Sequence, residues 1–327
     1  MKRRNFIQKG LGTMALGGAT FGMRNSLLAK DISVQSILSP DDSALTDKEL
    51  PKINTHGHLR KHHNIKERIR IWDEWNVQHF CALNLNEDVY WTTKKDYFTN
   101  DDFLKIKDEY GNRILGFAGV ALTRQRVSSV KDIERFKDQG FVGLKFCDAG
   151  YPYDHEIFFP LYEKALELEM PIVFHSGWLA VGDPVEDREM GVEADNMRVM
   201  TLDKVARWFP DLNMIAAHLG SPDRIQALEQ LRYYKNFHCD FCGGGGSKSW
   251  VRSTLAPMLP PAGLETDMSN PSENQALFWF TKMCFGTDNP EPSTWVPNTQ
   301  FMMDRLEIPL ETRKLFYYDT AAKLLGI

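Results

Sequence analysis

Cysteine is scarce in this chain of 327 residues: there are five, Cys81, Cys147, Cys239, Cys242 and Cys284. An odd, scattered set excludes a disulfide framework. Cys239 and Cys242 form a CDFC stretch that invites a metal or redox reading. Residues three apart on a strand face opposite sides, and no second such pair exists, so buried structural thiols are expected. Long apolar runs are also missing. The N-terminal stretch LGTMALGGATFGM has thirteen mostly apolar or small residues, whereas a membrane span takes about 20. No Gly-x-Gly-x-x-Gly opens a helix after the first apolar run, which argues against a dinucleotide fold. No short internal repeat is visible.

The formal net charge is −5, with 39 basic and 44 acidic residues. The first thirty residues carry six of the basic ones (Lys2, Arg3, Arg4, Lys9, Arg24 and Lys30) and no acid. The remainder therefore sits at 33 basic against 44 acidic, a net −11. Such a body repels nucleic acid and anionic lipid. The opening KRRNFIQKG has paired arginines, a polar residue, Phe6 and Ile7, and resembles a twin-arginine signal. Residues 1–30 are thus expected to be an export signal read by the twin-arginine machinery, which delivers the protein to the periplasm or beyond. That route carries folded proteins, which fits a metal acquired before export. No clean small-x-small cleavage site is present; a cut near Ala29 is the expectation. Residues 31–50 read as a flexible linker.

From residue 51 the pattern changes. Short apolar runs alternate with amphipathic segments: PKINTHGH, HFCALNLN, ILGFAGVAL, FVGLKF, PIVFHSG, LNMIAAHLG, FHCDFCG and MCFGTD. Segments such as SSVKDIERFKDQG, with Ser at its start and Gly140 at its end, read as helices between them. Eight such units predict an α/β fold with a parallel sheet closed into a (β/α)8 TIM barrel over residues 51–327. Two stretches interrupt the scheme. Residues 178–197 read as a long polar loop. Residues 243–271 open with GGGGSKSW and read either as a functional loop or as a flexible linker.

The polar residues that end the apolar runs are His56 and His58 in the first, Lys145 in the fourth, His175 in the fifth, His218 in the sixth and Asp288 in the eighth. In a barrel these positions converge on the C-terminal mouth, where chemistry is done. Imidazoles with a carboxylate suit Zn²⁺ or a similar divalent ion.

The motifs INTHGH, GLKF, FPLYEKALELEMPIVFHSG, FPDLNMIAAHLGSP, FGTDNP and YDTAAKLLGI, in that order over residues 51–327, resemble the amidohydrolase superfamily. The resemblance is to its "amidohydrolase 2" branch, which also contains metal-dependent decarboxylases. One departure is visible: Asn54 stands where the family commonly has Asp. The resemblance implies His56, His58, His175 and Asp288 as ligands of one divalent metal ion, Zn²⁺ before Mn²⁺. His218 is implied as an acid or base beside them. Lys145 stays open between a substrate contact, a carboxylated metal bridge and a structural role. The branch often forms homodimers, and the sequence itself marks no interface.

This set suits hydrolysis, because a divalent ion lowers the pKa of water to about 7. Asp288 is placed to take the proton of the attacking water and His218 to stabilise the developing oxyanion. The expectation is a metal-dependent hydrolase of a small lactone, cyclic ester or amide. A non-oxidative decarboxylase of a small hydroxy- or aromatic carboxylate is the alternative. A non-catalytic binding protein is the third reading, and the intact ligand set argues against it. Arg60 is a candidate for holding a substrate carboxylate. Trp178 and Trp295 are candidates for an aromatic wall, with packing as the open alternative.

Overall fold

Runs rich in β-branched and aromatic residues form the strands, here β1 (Lys52–Gly57), β2 (Val77–Leu83), β3 (Ile114–Gly119), β4 (Gly143–Phe146), β5 (Ile172–Phe174), β6 (Met214–Ala216) and β7 (Phe237–Cys239). They pair in parallel, each with its neighbour in sequence. Helices make the crossovers, among them Ile65–Glu74, Val130–Asp138, Phe159–Glu167 and Arg224–Tyr233. Their starts follow from local chemistry. The Ser129 hydroxyl accepts from the Asp132 amide while the Asp132 carboxylate accepts from the Ser129 amide, a capping box that contributes about 1 kcal/mol. A computed structural model describes residues 46–86, 95–179, 184–260, 266–268, 270, 272–289 and 291–327, all within the unit Leu45–Ile327. The export segment 1–30 and the linker as far as residue 45 lie outside the described residues. Among the described residues no helix is long and apolar enough to cross a membrane.

The strands bury both faces, as continuously apolar parallel strands do. One face packs on the helices: Phe80, Leu144, Phe146, Phe174 and Met214 meet Phe136, Leu161 and Val205. The opposite face gathers Ile53, Leu83, Phe117, Val173, Ile215 and Cys284 into a separate inner cluster. Ala321, Ala322 and Leu324 of the helix Thr320–Leu325 join that cluster. Lys145 pairs with Gly119 and Val173 and so stands on the inner face. β1 has an extra residue between Asn54 and Gly57 relative to β2. This bulge re-aims the end of the strand.

The eighth apolar run departs from expectation. Residues 283–288 do not form a continuous strand, so the sheet has seven strands. The segment nonetheless bonds to both edge strands. The Cys284 amide donates to the Cys239 carbonyl at 2.8 Å, and the Thr55 amide to the Phe285 carbonyl at 2.9 Å. Isolated parallel bridges join Cys239 to Met283 and Gly57 to Asp288. The irregularity has two causes in the fold. A Cβ on Gly286 would lie 2.9 Å from the His56 Cβ, and Asp288 is in the left-handed region at φ 57°, where an extended strand cannot continue.

Both interrupting stretches contain structure that the sequence reading left as loop. Residues 178–197 include the helix Pro184–Met190, begun by a proline and acidic in its first turn. The glycine run is a tight turn rather than a linker: Gly243, Gly244, Gly245 and Gly246 all have positive φ. It leads into the helix Lys248–Leu255, whose cap Ser247 accepts from the Trp250 amide.

Candidate active site

Three acceptor atoms converge at the end of β1. His56 Nε2 lies 3.8 Å from Asp288 Oδ1, and His58 Nε2 lies 3.5 Å from the same oxygen. The partners on the far side of each ring fix its tautomer. His58 Nδ1 is 2.9 Å from the Leu83 carbonyl, which only accepts, so Nδ1 carries the proton and Nε2 offers a lone pair. His56 Nδ1 is 2.8 Å from Asp240 Oδ2, a buried carboxylate. Two lone pairs therefore face a carboxylate oxygen, all within 4.8 Å of one another, with no hydrogen between them. A divalent cation satisfies that arrangement, and a carboxylate behind a ligating imidazole is its usual support. The donor set fits the metal.

The electrostatics agree. Burial pushes His58 down to about 3, so the ring stays neutral. Burial alone would raise Asp288, but His56, His218, His58 and Lys145 outweigh it and hold the carboxyl below its ordinary range. Asp240 behaves alike: burial opposes ionisation, while the adjacent, hydrogen-bonded His56 and then His218 keep it well below the usual carboxylate range.

His218 stands beside this group, its ring 4.9 Å from that of His56. Its Nδ1 faces the Cys242 carbonyl at 2.7 Å, so Nε2 is an acceptor. Its backbone is left-handed at φ 61° and its amide donates to Asp240 Oδ1 at 2.9 Å. That strained conformation is affordable because Asp240 holds it. Burial, then His56, lowers its pKa.

His175 lines the same cavity and its ring lies 5.0 Å from that of His218. Its Nε2 is turned to the Trp178 carbonyl at 3.2 Å, and it stands outside the three-atom group. Lys145 reaches the cavity from β4. Trp178 is 74% exposed at the cavity wall, whereas Trp295 is wholly buried in the core. Arg60 stacks on the Tyr97 ring at 3.6 Å and donates to Tyr97 Oη and Asn289 Oδ1. Asn289 Nδ2 in turn donates to Asp288 Oδ1 at 3.0 Å, so Arg60 supports the Asp288 carboxylate through Asn289. Asn54 ties β1 to the 283–288 segment through Thr287.

The sequence expectations did not include Asp240, Tyr97, Trp250 or Asn289, and took Cys242 as a buried structural thiol. Asp240 carried a usable signal. It ends the seventh apolar run as His175 and His218 end theirs, but the flanking cysteines drew the attention. None of the five cysteines forms a disulfide. The Cys242 thiol donates to Asp240 Oδ1 at 3.0 Å. The cavity is about 310 Å³, walled by His58, Tyr97, Lys145, His175, Trp178, His218, Trp250 and Asp288, with Leu85 and Leu179 as apolar surface.

No curated protein matches the chain by sequence. Solved structures do. The probable 2-pyrone-4,6-dicarboxylic acid hydrolase of Acinetobacter baumannii, with citric acid bound, is 12% identical, covers 85% of this chain and 100% of its own, and has a TM-score of 0.55. The 2,6-dihydroxybenzoate decarboxylase of Rhizobium is 15% identical over 85% of this chain and 99% of its own, at 0.54. A dihydroxybenzoic acid decarboxylase of Polaromonas sp. JS666, with bound manganese and the inhibitor 2-nitroresorcinol, is 14% identical over 85% and 97%, at 0.52. At these identities the likeness carries the fold alone. The amidohydrolase family model matches residues 82–327. With three-quarters of its length under that model, the chain belongs to the amidohydrolase family and is an enzyme of its metal-dependent type.

Proposed function

We propose that the protein is an exported hydrolase of a small lactone, cyclic ester or amide, working with one divalent ion. The observation that carries this is the convergence of His56 Nε2, His58 Nε2 and Asp288 Oδ1 beside a cavity that His58 and Asp288 line. His56, His58, Asp288 and His175 hold the ion, with Zn²⁺ ahead of Mn²⁺ for so imidazole-rich a set. Such an ion supplies Lewis acidity and acidifies water there. The 283–288 segment serves as the eighth stave of a closed barrel.

Asp288 accepts the proton of the attacking water. His218, its Nδ1 proton given to the Cys242 carbonyl, offers Nε2 as a second acceptor. It takes the second proton of that water and delivers it to the leaving oxygen of an ester or the leaving nitrogen of an amide. The exposed Trp178 and the Trp250 indole give a flat ring two faces to lie against.

Decarboxylation is the second reading, since the same ligands suit it and two structural neighbours carry that activity in their names. One assay separates the two. Metal-loaded protein is given a panel of lactones and hydroxybenzoates while acid release and CO2 release are followed together. Acid release from lactones without CO2 supports hydrolysis. CO2 from hydroxybenzoates without lactone opening overturns it in favour of the lyase.

A further inference from the structure

Lys145 is treated differently from the buried Lys52 and the half-buried Lys282. The Lys52 ammonium donates to the Lys48 and Leu50 carbonyls at 3.0 and 2.6 Å. The Lys282 ammonium donates to the Leu231 and Tyr234 carbonyls. A structural lysine in this chain is thus capped by backbone oxygens, as burial of a charge requires. Lys145 is 3% exposed, yet among the described residues its Nζ has no hydrogen-bond partner and no ion pair. It feels the charge of Asp240 and Asp288 without reaching hydrogen-bond distance of either.

The position of this ammonium gives it a purpose. It stands on the inner face of β4, paired with Val173 of β5, and lines the cavity that also holds His58, His218 and Asp288. Of the residues with a buried, unpartnered side-chain atom among the described residues, Lys145 is the one that lines that cavity. Leu85, Leu179 and Trp250 give the same cavity apolar surface. The cavity, about 310 Å³, is near the small end for ligand sites, which start at roughly 300 Å³.

We propose that the Lys145 ammonium is the subsite for a carboxylate of the substrate, which makes that substrate a single-ring compound carrying an acid group apart from the bond that reacts. A carboxylate supplies the missing acceptor as a charge-assisted hydrogen bond, stronger than a neutral one. The apolar wall takes the ring, and the reacting bond lies over His58 and Asp288. The inference rests on the reading of this cavity as the reaction site.

The test uses benzoate and its neutral counterpart benzamide as probes. Their binding to the metal-loaded protein is followed by tryptophan fluorescence, with metal content measured on the same samples. The wild type binds benzoate at least roughly 10-fold more tightly than benzamide. Lys145→Met weakens benzoate by roughly that factor, leaves benzamide within about 2-fold and keeps its metal. Removal of a buried unpaired charge should not unfold the protein, and Lys145→Gln reads the same difference should the methionine variant precipitate. Benzoate binding no tighter than benzamide, absent binding included, overturns the proposal. So does a benzoate preference that survives the substitution, or a loss of metal with it, which would make Lys145 a support of the ion. A wild type without metal sinks the metal reading instead, and the Lys145 preference is still read from the same titration.

Discussion

Asp240 Oδ2 lies 2.8 Å from His56 Nδ1, with both side chains almost fully buried. The same carboxylate, through Oδ1, accepts from the amides of His218 and Cys242 at 2.9 and 3.2 Å. One residue thus orients the His56 ring and holds the left-handed turn that carries His218. Its effect on the metal passes through His56, which makes it a positioning residue. Asp240→Asn should lower metal affinity 10- to 100-fold on the order seen for such outer partners, with far-UV circular dichroism unchanged. A titration with Zn²⁺ that gives wild-type affinity would contradict this role.

Asp288 has two tasks in the account, ligand and proton acceptor. Asp288→Asn keeps the shape and removes the charge. Turnover should fall by roughly 10²-fold or more, the lower range of a lost general base. Single-turnover kinetics under saturating metal separates the tasks. Activity restored by excess metal would leave Asp288 as a ligand alone.

A third outcome concerns acid stability. His238 pairs with Ile215 on the inner face of β7, away from the three-atom group. Burial, then Lys282, pushes its pKa down to about 4, against about 6.5 in the unfolded chain. The unfolded state therefore takes up a proton that the folded state refuses. Stability is fully present above pH about 6.5 and is lost as pH falls toward about 4. The steepest contribution of one such group is about 1.4 kcal/mol per pH unit. Urea unfolding of His238→Gln across that window should show a shallower decline than the wild type, and parallel curves would refute the assignment.

The export proposal is independent of the fold. Arg3 and Arg4 lie outside the described residues, and the signal reading rests on their pairing in KRRNFIQKG. Changing both to Lys should retain the protein in the cytoplasm by fractionation. Undiminished export would end that reading.

Much of the frame was legible in the sequence because parallel strands buried on both faces must be apolar throughout. Ile114–Gly119 and Ile172–Phe174 stand where their apolar runs predict. Strand-end polarity marked His56, His58, His218 and Asp288, which the fold does bring together. The eighth run was misread as a regular strand because its deviation depends on tertiary contact. Gly286 packs against His56 and Cys242, and Asp288 turns left-handed; neither leaves a trace in periodicity. The glycine run was left ambiguous because composition alone does not tell a flexible linker from four consecutive positive-φ residues. The Arg60 carboxylate-binding idea missed Tyr97 and Asn289, partners 37 and 229 residues away in sequence.

The proposed function requires that His56, His58 and Asp288 converge because they hold a divalent ion. Elemental analysis of the purified protein, with His56→Ala and His58→Ala prepared alongside, tests it most directly. The account predicts about one Zn²⁺ or Mn²⁺ per chain in the wild type and loss of that ion in both variants. A wild type without metal, or variants that keep it, would contradict the account and return a non-catalytic binding role to consideration.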